Sequence, residues 1–480
     1  MVEYAVASIL IPILGSVLAV IMPGSYVKRI SPLFAFLTFA SSLLLMIDFT
    51  RAGGASITQG LLQFGGMQVL GVTIDKVSVL IGFAVIFMGL LVCVYSLGYM
   101  TTSNKEHPVH GGTKRYYAFL LLFIGSMAGL VFSSTIIGLL VFFELTGVCS
   151  WGLIGFYDTP AARRAALKAL IITHVASIGL YVAAIYLFIN SGSFELAALA
   201  GLKDTAKVVV FLGILVASWG KSAQLPLHSW LPDAMVAPTP VSAYLHAASM
   251  VKVGAYIFAR TLLSAGSVPQ VIGYIGGIMA IVTLAYGFAM YFPQQDMKKL
   301  LAYSTIAQLS YIFLALSISV FGSSMAYKGA VAHIFNHAFA KGLFFLVAGA
   351  LSYTTGTRML PKLRGILSKM PLVGVSFAAA ALAVGGTPPF NLFFSKFSIF
   401  VGGFEAAKNH PIVLLLVLVA VVESVGSFAW LLRWFGTCVM GKPSETVAGA
   451  ITLPLSMKIV LLLLVVMTLI SQYIALVFLG

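Results

Sequence analysis

The chain has 480 residues, 60% of them hydrophobic and 9% charged, with a formal net charge of +15. A mean hydropathy of +1.05 excludes a soluble globular domain and describes a polytopic all-α membrane protein. Its three cysteines, Cys93, Cys149 and Cys438, are too scattered for a zinc or iron–sulfur ligand set or a disulfide framework, so no metal or cofactor is expected and any redox chemistry belongs to partners.

Apolar runs of about 20 residues are enough to cross about 30 Å of hydrocarbon. In chain order they predict helices over 4–22, 31–49, 76–99, 116–132, 135–156, 165–190 and 206–225. Seven more follow over 241–263, 269–291, 299–320, 326–353, 371–403, 411–435 and 456–479. No basic stretch precedes the first run and no small-residue cleavage site follows it, so no removable signal peptide is expected. With about fourteen spans both termini lie on one side. Alternate loops then hold seventeen and seven Lys or Arg, with four left inside helices. The positive-inside rule puts both termini outside. Because the charge follows topology and is not gathered on one soluble face, nucleic acid is not expected as a partner.

The four lysines inside helices are Lys221, Lys252, Lys341 and Lys396, and two carboxylates, Glu144 and Glu423, also sit deep in apolar runs. An ionisable group at mid-bilayer costs roughly 2.5 to 3.5 kcal/mol on insertion scales. Six in one chain argue for a task beyond structure. The stretch ASWGKSAQLPLHSWLPDAMVAPTPVSAYLHAASMVKVGAY, residues 217–256, gathers Lys221, His228, His246 and Lys252 among four prolines. Asp158 is expected to cap a headgroup loop or pair with Arg163 and Arg164.

Two helices read as broken, at SAQLPLHSW beside Lys221 and at VGGTPPFNLFF beside Lys396. Freed backbone groups survive at membrane depth only where protein or a water-lined cavity satisfies them. The breaks fall in predicted helices seven and twelve, which fits two five-helix repeats over helices four to eight and nine to thirteen. The expected units are therefore 1–110 (helices one to three), 111–265, 266–436 and 437–480. In the eleventh helix His333, His337 and Lys341 recur every four residues, one drifting stripe about 12 Å long. Imidazole titrates near neutrality and can take a proton on one nitrogen while releasing from the other, so the stripe suits a proton relay. Glu144 is expected to modulate Lys221, with Lys252, the histidines and Lys396 as successive carriers.

KSAQLPLHSWLPDAMVAPTPVSAYLHAASMVKVGAYIFAR resembles the signature of the antiporter-like membrane subunits shared by respiratory complex I, membrane-bound hydrogenase-type complexes and Mrp sodium/proton antiporters. FELTGVCSWGLIGFY, DMKKLLAYSTIAQLSYIFLAL, HIFNHAFAKGLFFLVAG and GGTPPFNLFFSKFSIF extend the resemblance over about residues 75–435. The lysine of FFSKF makes it most similar to the Mrp D-type and hydrogenase branches. The resemblance implies fourteen helices with two inverted five-helix repeats and broken helices seven and twelve. It also implies a coupled Glu144–Lys221 pair, a central relay at Lys252 and His333 or His337, and a terminal carrier at Lys396. Glu423 is no hallmark of that family. With Gly480 just after the last predicted helix, the long lateral helix of the largest complex I subunit is not expected.

The expected function is a proton-translocating subunit, moving protons or exchanging them for sodium, within a multisubunit energy-converting complex in an archaeal or bacterial cell membrane. It is expected to contribute transport and not redox catalysis. Its expected partners are other integral membrane subunits, protons or sodium, and the lipid bilayer. The alternatives are a subunit of a stand-alone Mrp-type antiporter, a non-conducting scaffold, or a quinone-binding subunit. The relay set is Glu144, Lys221, Lys252, His333, His337, Lys341 and Lys396, with His228, His246, Glu423 and Asp158 as auxiliaries.

Overall fold

Backbone in hydrocarbon must satisfy its own N–H and C=O groups, and the apolar runs accordingly wind into helices. The computed structural model describes residues 1–480. It opens with α1 (Val2–Ile21) and α2 (Gly24–Arg51), joined at Pro23. An antiparallel hairpin then follows, β1 (Ile57–Phe64) and β2 (Met67–Ile74), where the sequence reading had no element. Its two-residue turn is Gly65–Gly66, both at positive φ, as a tight hairpin between β-forming segments requires. In the sequence the glycine pair between two β-forming runs is the mark of this hairpin.

Asp75 ends the hairpin and caps α3 (Lys76–Tyr99), accepting from the Ser78 N–H at 2.8 Å. Next come α4 (Thr113–Phe132), α5 (Ile136–Ile154) and α6 (Pro160–Ser191). The Thr135 and Thr159 hydroxyls accept first-turn N–H groups of α5 and α6, satisfying donors that lack a partner within the helix. α7 (Asp204–Lys221) lies tight on α6. A Cβ on either Gly179 or Gly213 would stand 2.3 Å from the other's carbonyl oxygen, so only glycine fits both positions.

The chain continues through α8 (Trp230–Asp233), α9 (Thr239–Ala247), α10 (Met250–Ala265), α11 (Gln270–Ala289), α12 (Met297–Ser319) and α13 (Ser324–Thr355). It closes with α14 (Ile366–Lys369), α15 (Pro371–Gly385), α16 (Asn391–Ala407), α17 (Pro411–Val439), α18 (Glu445–Ala448) and α19 (Leu455–Leu479). Eleven helices are each long and apolar enough to cross a membrane: α1 to α6, α11, α12, α13, α17 and α19. The remaining predicted spans are discontinuous. The span over 206–225 stops at Lys221, that over 371–403 divides between Gly385 and Asn391, and that over 241–263 divides at Ala248–Ser249, an interruption the sequence reading did not contain.

α13 is the hub. It packs on α3, α9, α12, α15, α16 and α19, and its most apolar stretch is wholly buried, against about a third for α2 and α17. The histidine helix is thus sealed on every side.

Three further cations are buried that the loop count had assigned to loops. Lys207 donates to Ser267 O at 2.8 Å, and Lys298 to Ala237 O at 2.7 Å. Arg260 on α10 reaches the Asp75 carboxylate with two nitrogens and also donates to the Tyr256 hydroxyl. Burial raises the Asp75 pKa, but the charge and hydrogen bonds of Arg260 outweigh it and hold the carboxyl below the ordinary aspartate value. This pair ties the start of α3 to the middle of the chain.

Candidate functional site

Both predicted breaks exist, and protein groups satisfy their freed backbone. At the first, Gln224 Nε2 donates to Ser222 O (3.0 Å), Trp230 Nε1 to Gly220 O (3.0 Å) and the Leu225 N–H to Thr283 Oγ1 (3.3 Å). At the second, Gly386 turns the chain in the left-handed region and Gln308 Nε2 donates to Val384 O (3.4 Å). One helix serves both, because Ser310 of α12 donates to Gln224 Oε1 in the first break at 2.8 Å. α12 is therefore a polar spine between two unwound segments. It bears no site residue of the sequence reading, yet Gln308 and Ser310 touch the machinery. The polar residues in AYSTIAQLSY gave that signal.

Lys221 ends α7 and is fully buried. Its ammonium donates to Phe143 O (2.9 Å) and Thr146 Oγ1 (3.3 Å) and stands 4.4 Å from the centre of the Phe143 ring. Glu144, expected to modulate Lys221, makes no direct ion pair with it. Glu144 Oε2 instead lies 2.7 Å from Nδ1 of His174 on α6, a residue the sequence reading missed. Phe143 and Glu144 leave their helix about 100° apart, so one meets Lys221 and the other meets His174. A carboxylate thirty residues before a histidine in a neighbouring apolar run was the available clue.

Lys252 is 1% exposed, and its Nζ has no hydrogen-bond partner. It sits one turn beyond the interruption, where Ser249 Oγ donates back to Tyr244 O at 2.8 Å. His246, at the end of α9, is also buried with neither ring nitrogen partnered, between the Trp230 and Phe345 rings.

His333, His337 and Lys341 line one face of α13, all fully buried. The two imidazole centres are 6.0 Å apart, as a four-residue helical step requires. His337 has no partner on either nitrogen. His333 is held on both sides, Nδ1 at 2.9 Å from Ser395 Oγ and Nε2 at 3.1 Å from Gln308 Oε1. Gln308 presents an acceptor there, so Nε2 carries the hydrogen. Ser395 can donate to a neutral Nδ1 or accept from a protonated one while turning to Leu392 O, 3.2 Å away. The shell therefore suits both charge states. Lys341 is turned off this line, donating to Ser304 Oγ (2.6 Å) and Leu301 O (3.2 Å).

Lys396 of α16 donates to Ser424 Oγ at 3.0 Å and lies 4.7 Å from the centre of the Tyr311 ring. Glu423, one residue before Ser424 on α17, is 4% exposed and accepts from the Tyr311 and Ser427 hydroxyls. Lys221 and Lys396 thus each lie over an aromatic ring and make no ion pair with a carboxylate. Asn336 and Asn391 clasp α13 to α16. Each side-chain amide donates to the other's backbone carbonyl, at 3.1 and 2.9 Å.

The remaining auxiliaries stand apart. His228 Nε2 is 3.0 Å from the Tyr286 hydroxyl. Asp158 pairs with Arg163 at the exposed start of α6, and Asp233 with Lys168, both at the surface. Of Lys221, Lys252, Lys341 and Lys396, none has a carboxylate within 4.0 Å.

The family model described as NADH:quinone oxidoreductase/Mrp antiporter, TM, matches residues 133–425, and that for the N-terminus of complex I chain 5 matches 62–108. The probable A/B subunit of a K(+)/H(+) antiporter of Rhizobium meliloti (strain 1021) is 35% identical over 91% of this chain and 43% of its own length. The chloroplastic NAD(P)H-quinone oxidoreductase subunit 5 of Zygnema circumcarinatum is 36% identical over 68% of the chain and 47% of its own. The A1 subunit of the Na(+)/H(+) antiporter of Staphylococcus aureus (strain MRSA252) is 35% identical over 78% and 48%. The chain spans about half the length of these curated relatives, and the antiporter subunits among them are named A/B and A1. Among solved structures, the Mrp complex of Dietzia sp. DQ12-45-1b superposes over 99% of this chain and 51% of its own with a TM-score of 0.86 at 26% identity. An archaeal membrane-bound sulfane sulfur reductase shares the fold, with a TM-score of 0.81 at 24% identity over 99% of this chain and 95% of the other. With its core matched from the first carboxylate helix to the last, this multi-pass membrane chain belongs to the NADH:quinone oxidoreductase/Mrp antiporter family.

Proposed function

We propose that the chain is an ion-translocating subunit of a multisubunit energy-converting membrane complex. Protons pass along Glu144, Lys221, Lys252, His337, His333 and Lys396, with Lys341, His246, His228 and Glu423 as auxiliaries and His174 added as the partner of Glu144. Asp158 is left to its surface ion pair. The observation that carries this reading is the absence of any carboxylate within 4.0 Å of four lysines that are 3% exposed or less. Lys207 and Lys298 are as deeply buried and also lack a carboxylate, but backbone carbonyls at helix ends hold them; Lys252 has no partner of any kind, which suits a site whose charge is set by an arriving proton.

On this reading the discontinuous segments belong to helices seven, eight and twelve of a fourteen-helix chain. Two inverted five-helix repeats run over 111–265 and 266–436, between helices one to three in 1–110 and a closing helix in 437–480. The similar lysine and ring groupings at Lys221 and Lys396 support that pairing. The excess of Lys and Arg on one face supports a cell membrane setting with both termini outside. Other integral subunits are its partners, as they are for the relatives named as antiporter and oxidoreductase subunits.

Uptake into vesicles holding the intact complex tests the reading, with pH and sodium followed separately at one imposed driving force. Lys221→Ala is expected to abolish gradient formation in an assembled complex, and the gradient that fails identifies the ion. Wild-type gradients of both ions would make Lys221 structural. A second reading, a subunit of a stand-alone Mrp-type antiporter, is favoured by the relatives named for Na(+)/H(+) and K(+)/H(+) exchange. A purified complex that exchanges cations but oxidises no donor selects it.

A further inference from the structure

We propose that the basic face binds the phosphate of an anionic phospholipid, seated between the two halves of the chain, with an acyl chain lying along α6 across the Glu144–His174 pair. A cavity of about 390 Å³ opens between α6, the α8 turn and the start of α12, and its charged lining is Arg164, Lys168, Asp233, Lys299 and Arg358. Two of its cations already have partners. Lys168 is held by Asp233 at 2.7 Å, and Arg358 by Glu106 (3.0 Å) and Asp296 (2.8 Å).

Arg164 and Lys299 have no carboxylate within 4.0 Å. Like charges converging on a concavity without an anion repel, and a phosphate accepts from both and from the partnered pair behind them. Ala161, in the first turn of α6, adds the positive end of that helix to the same lining.

A free anion would explain the pocket but not what runs away from it. Leu167, Ile171, Val175 and Ile178 step down α6 about one turn at a time, each more than half exposed. His174 stands in this stripe, 63% exposed and bonded to Glu144. A molecule with an anionic head at Arg164 and an apolar tail along Leu167 to Ile178 matches the cavity and the stripe together, and a phospholipid has that form. The inference is independent of whether ions move through the chain.

The test uses the full chain, purified with its copurifying subunits in detergent, and phosphatidylglycerol carrying a photoactivatable diazirine in one acyl chain. Peptide mapping after illumination is expected to place label on α6 between Leu167 and Ile178. Unlabelled phosphatidylglycerol displaces it, while phosphatidylcholine and inorganic phosphate at equal concentration do not. Arg164→Gln with Lys299→Gln raises the lipid concentration for half-labelling by roughly thirtyfold, the effect of losing two basic contacts to an anionic lipid. Arg164→Lys restores most of the labelling, and Arg163→Gln, whose guanidinium is paired with Asp158, changes little. Unchanged labelling in the double variant, or displacement by phosphatidylcholine, overturns the phosphate site. Equal displacement by inorganic phosphate, or an α6 shielded by a neighbouring subunit, overturns the lipid.

Discussion

Replacing Lys252 by methionine separates a working residue from a structural one by the sign of the stability change. The substitution keeps an unbranched side chain of similar volume and deletes an ammonium that is 1% exposed and touches no acceptor. A buried donor without a partner costs about 1 to 3 kcal/mol, and near-isosteric apolar replacements in a core cost under about 1.5 kcal/mol. Lys252→Met is therefore expected to leave stability unchanged or raise it by up to about 2 kcal/mol. Deleting one member of a buried ion pair would instead cost about 3 to 5 kcal/mol. The assay pairs unfolding of wild type and variant in one detergent with ion uptake into vesicles. The expected outcome is an equal or higher unfolding midpoint together with loss of uptake. A loss of more than about 2 kcal/mol would reveal a partner for Lys252 and refute the reasoning; wild-type uptake would remove it from the relay.

Asp75→Asn strands the Arg260 guanidinium and is expected to cost about 3 to 5 kcal/mol, with much of that recovered when Arg260→Met is added, as a double-mutant cycle in detergent will measure. Because the Asp75 carboxyl is held below its ordinary value, its stabilisation is complete above about pH 4 and is lost as pH falls through the lower folded value. Acid unfolding profiles of wild type and Asp75→Asn should therefore converge in strong acid. Gly254→Ala places a Cβ 2.2 Å from Ser218 O and pushes α10 off the end of α7. Stability should drop by about 1 to 3 kcal/mol and uptake with it, since Lys221 moves. Tyr311→Phe keeps the ring under Lys396 but removes a hydroxyl from Glu423. A loss of about 1 kcal/mol with slowed uptake is expected, and unchanged uptake would take Glu423 out of the path.

Helix positions and both breaks were legible because hydrophobic run length and proline-glycine clusters are local signals. The stripe of His333, His337 and Lys341 was legible for the same reason, since spacing along one helix fixes a shared face. Partners across helices were not. Nothing local says that residue 144 turns toward His174 while the carbonyl of residue 143 serves Lys221, nor that Lys341 swings to Ser304 and leaves the line of the histidines. Arg260 and Lys298 read as loop charges because run counting sees length and cannot see that another element folds over a helix end. The interruption at Ser249 left no proline or glycine to mark it; the chain departs from helix there because tertiary packing outweighs local preference.

The reciprocal amide bonds between Asn336 and Asn391 fasten the second half. Sliding α16 past α13 by even part of a turn would break both bonds at once, so Lys396 and Ser395 travel with His333 as one rigid block. A rearrangement within this block is confined to side chains, such as the Ser395 hydroxyl turning between His333 and Leu392 O or a Lys396 rotamer. At the interruption before Lys252 the fastening is of another kind: the Ser249 hydroxyl and N–H both donate back to Tyr244 O across the joint between α9 and α10, within one stretch of chain.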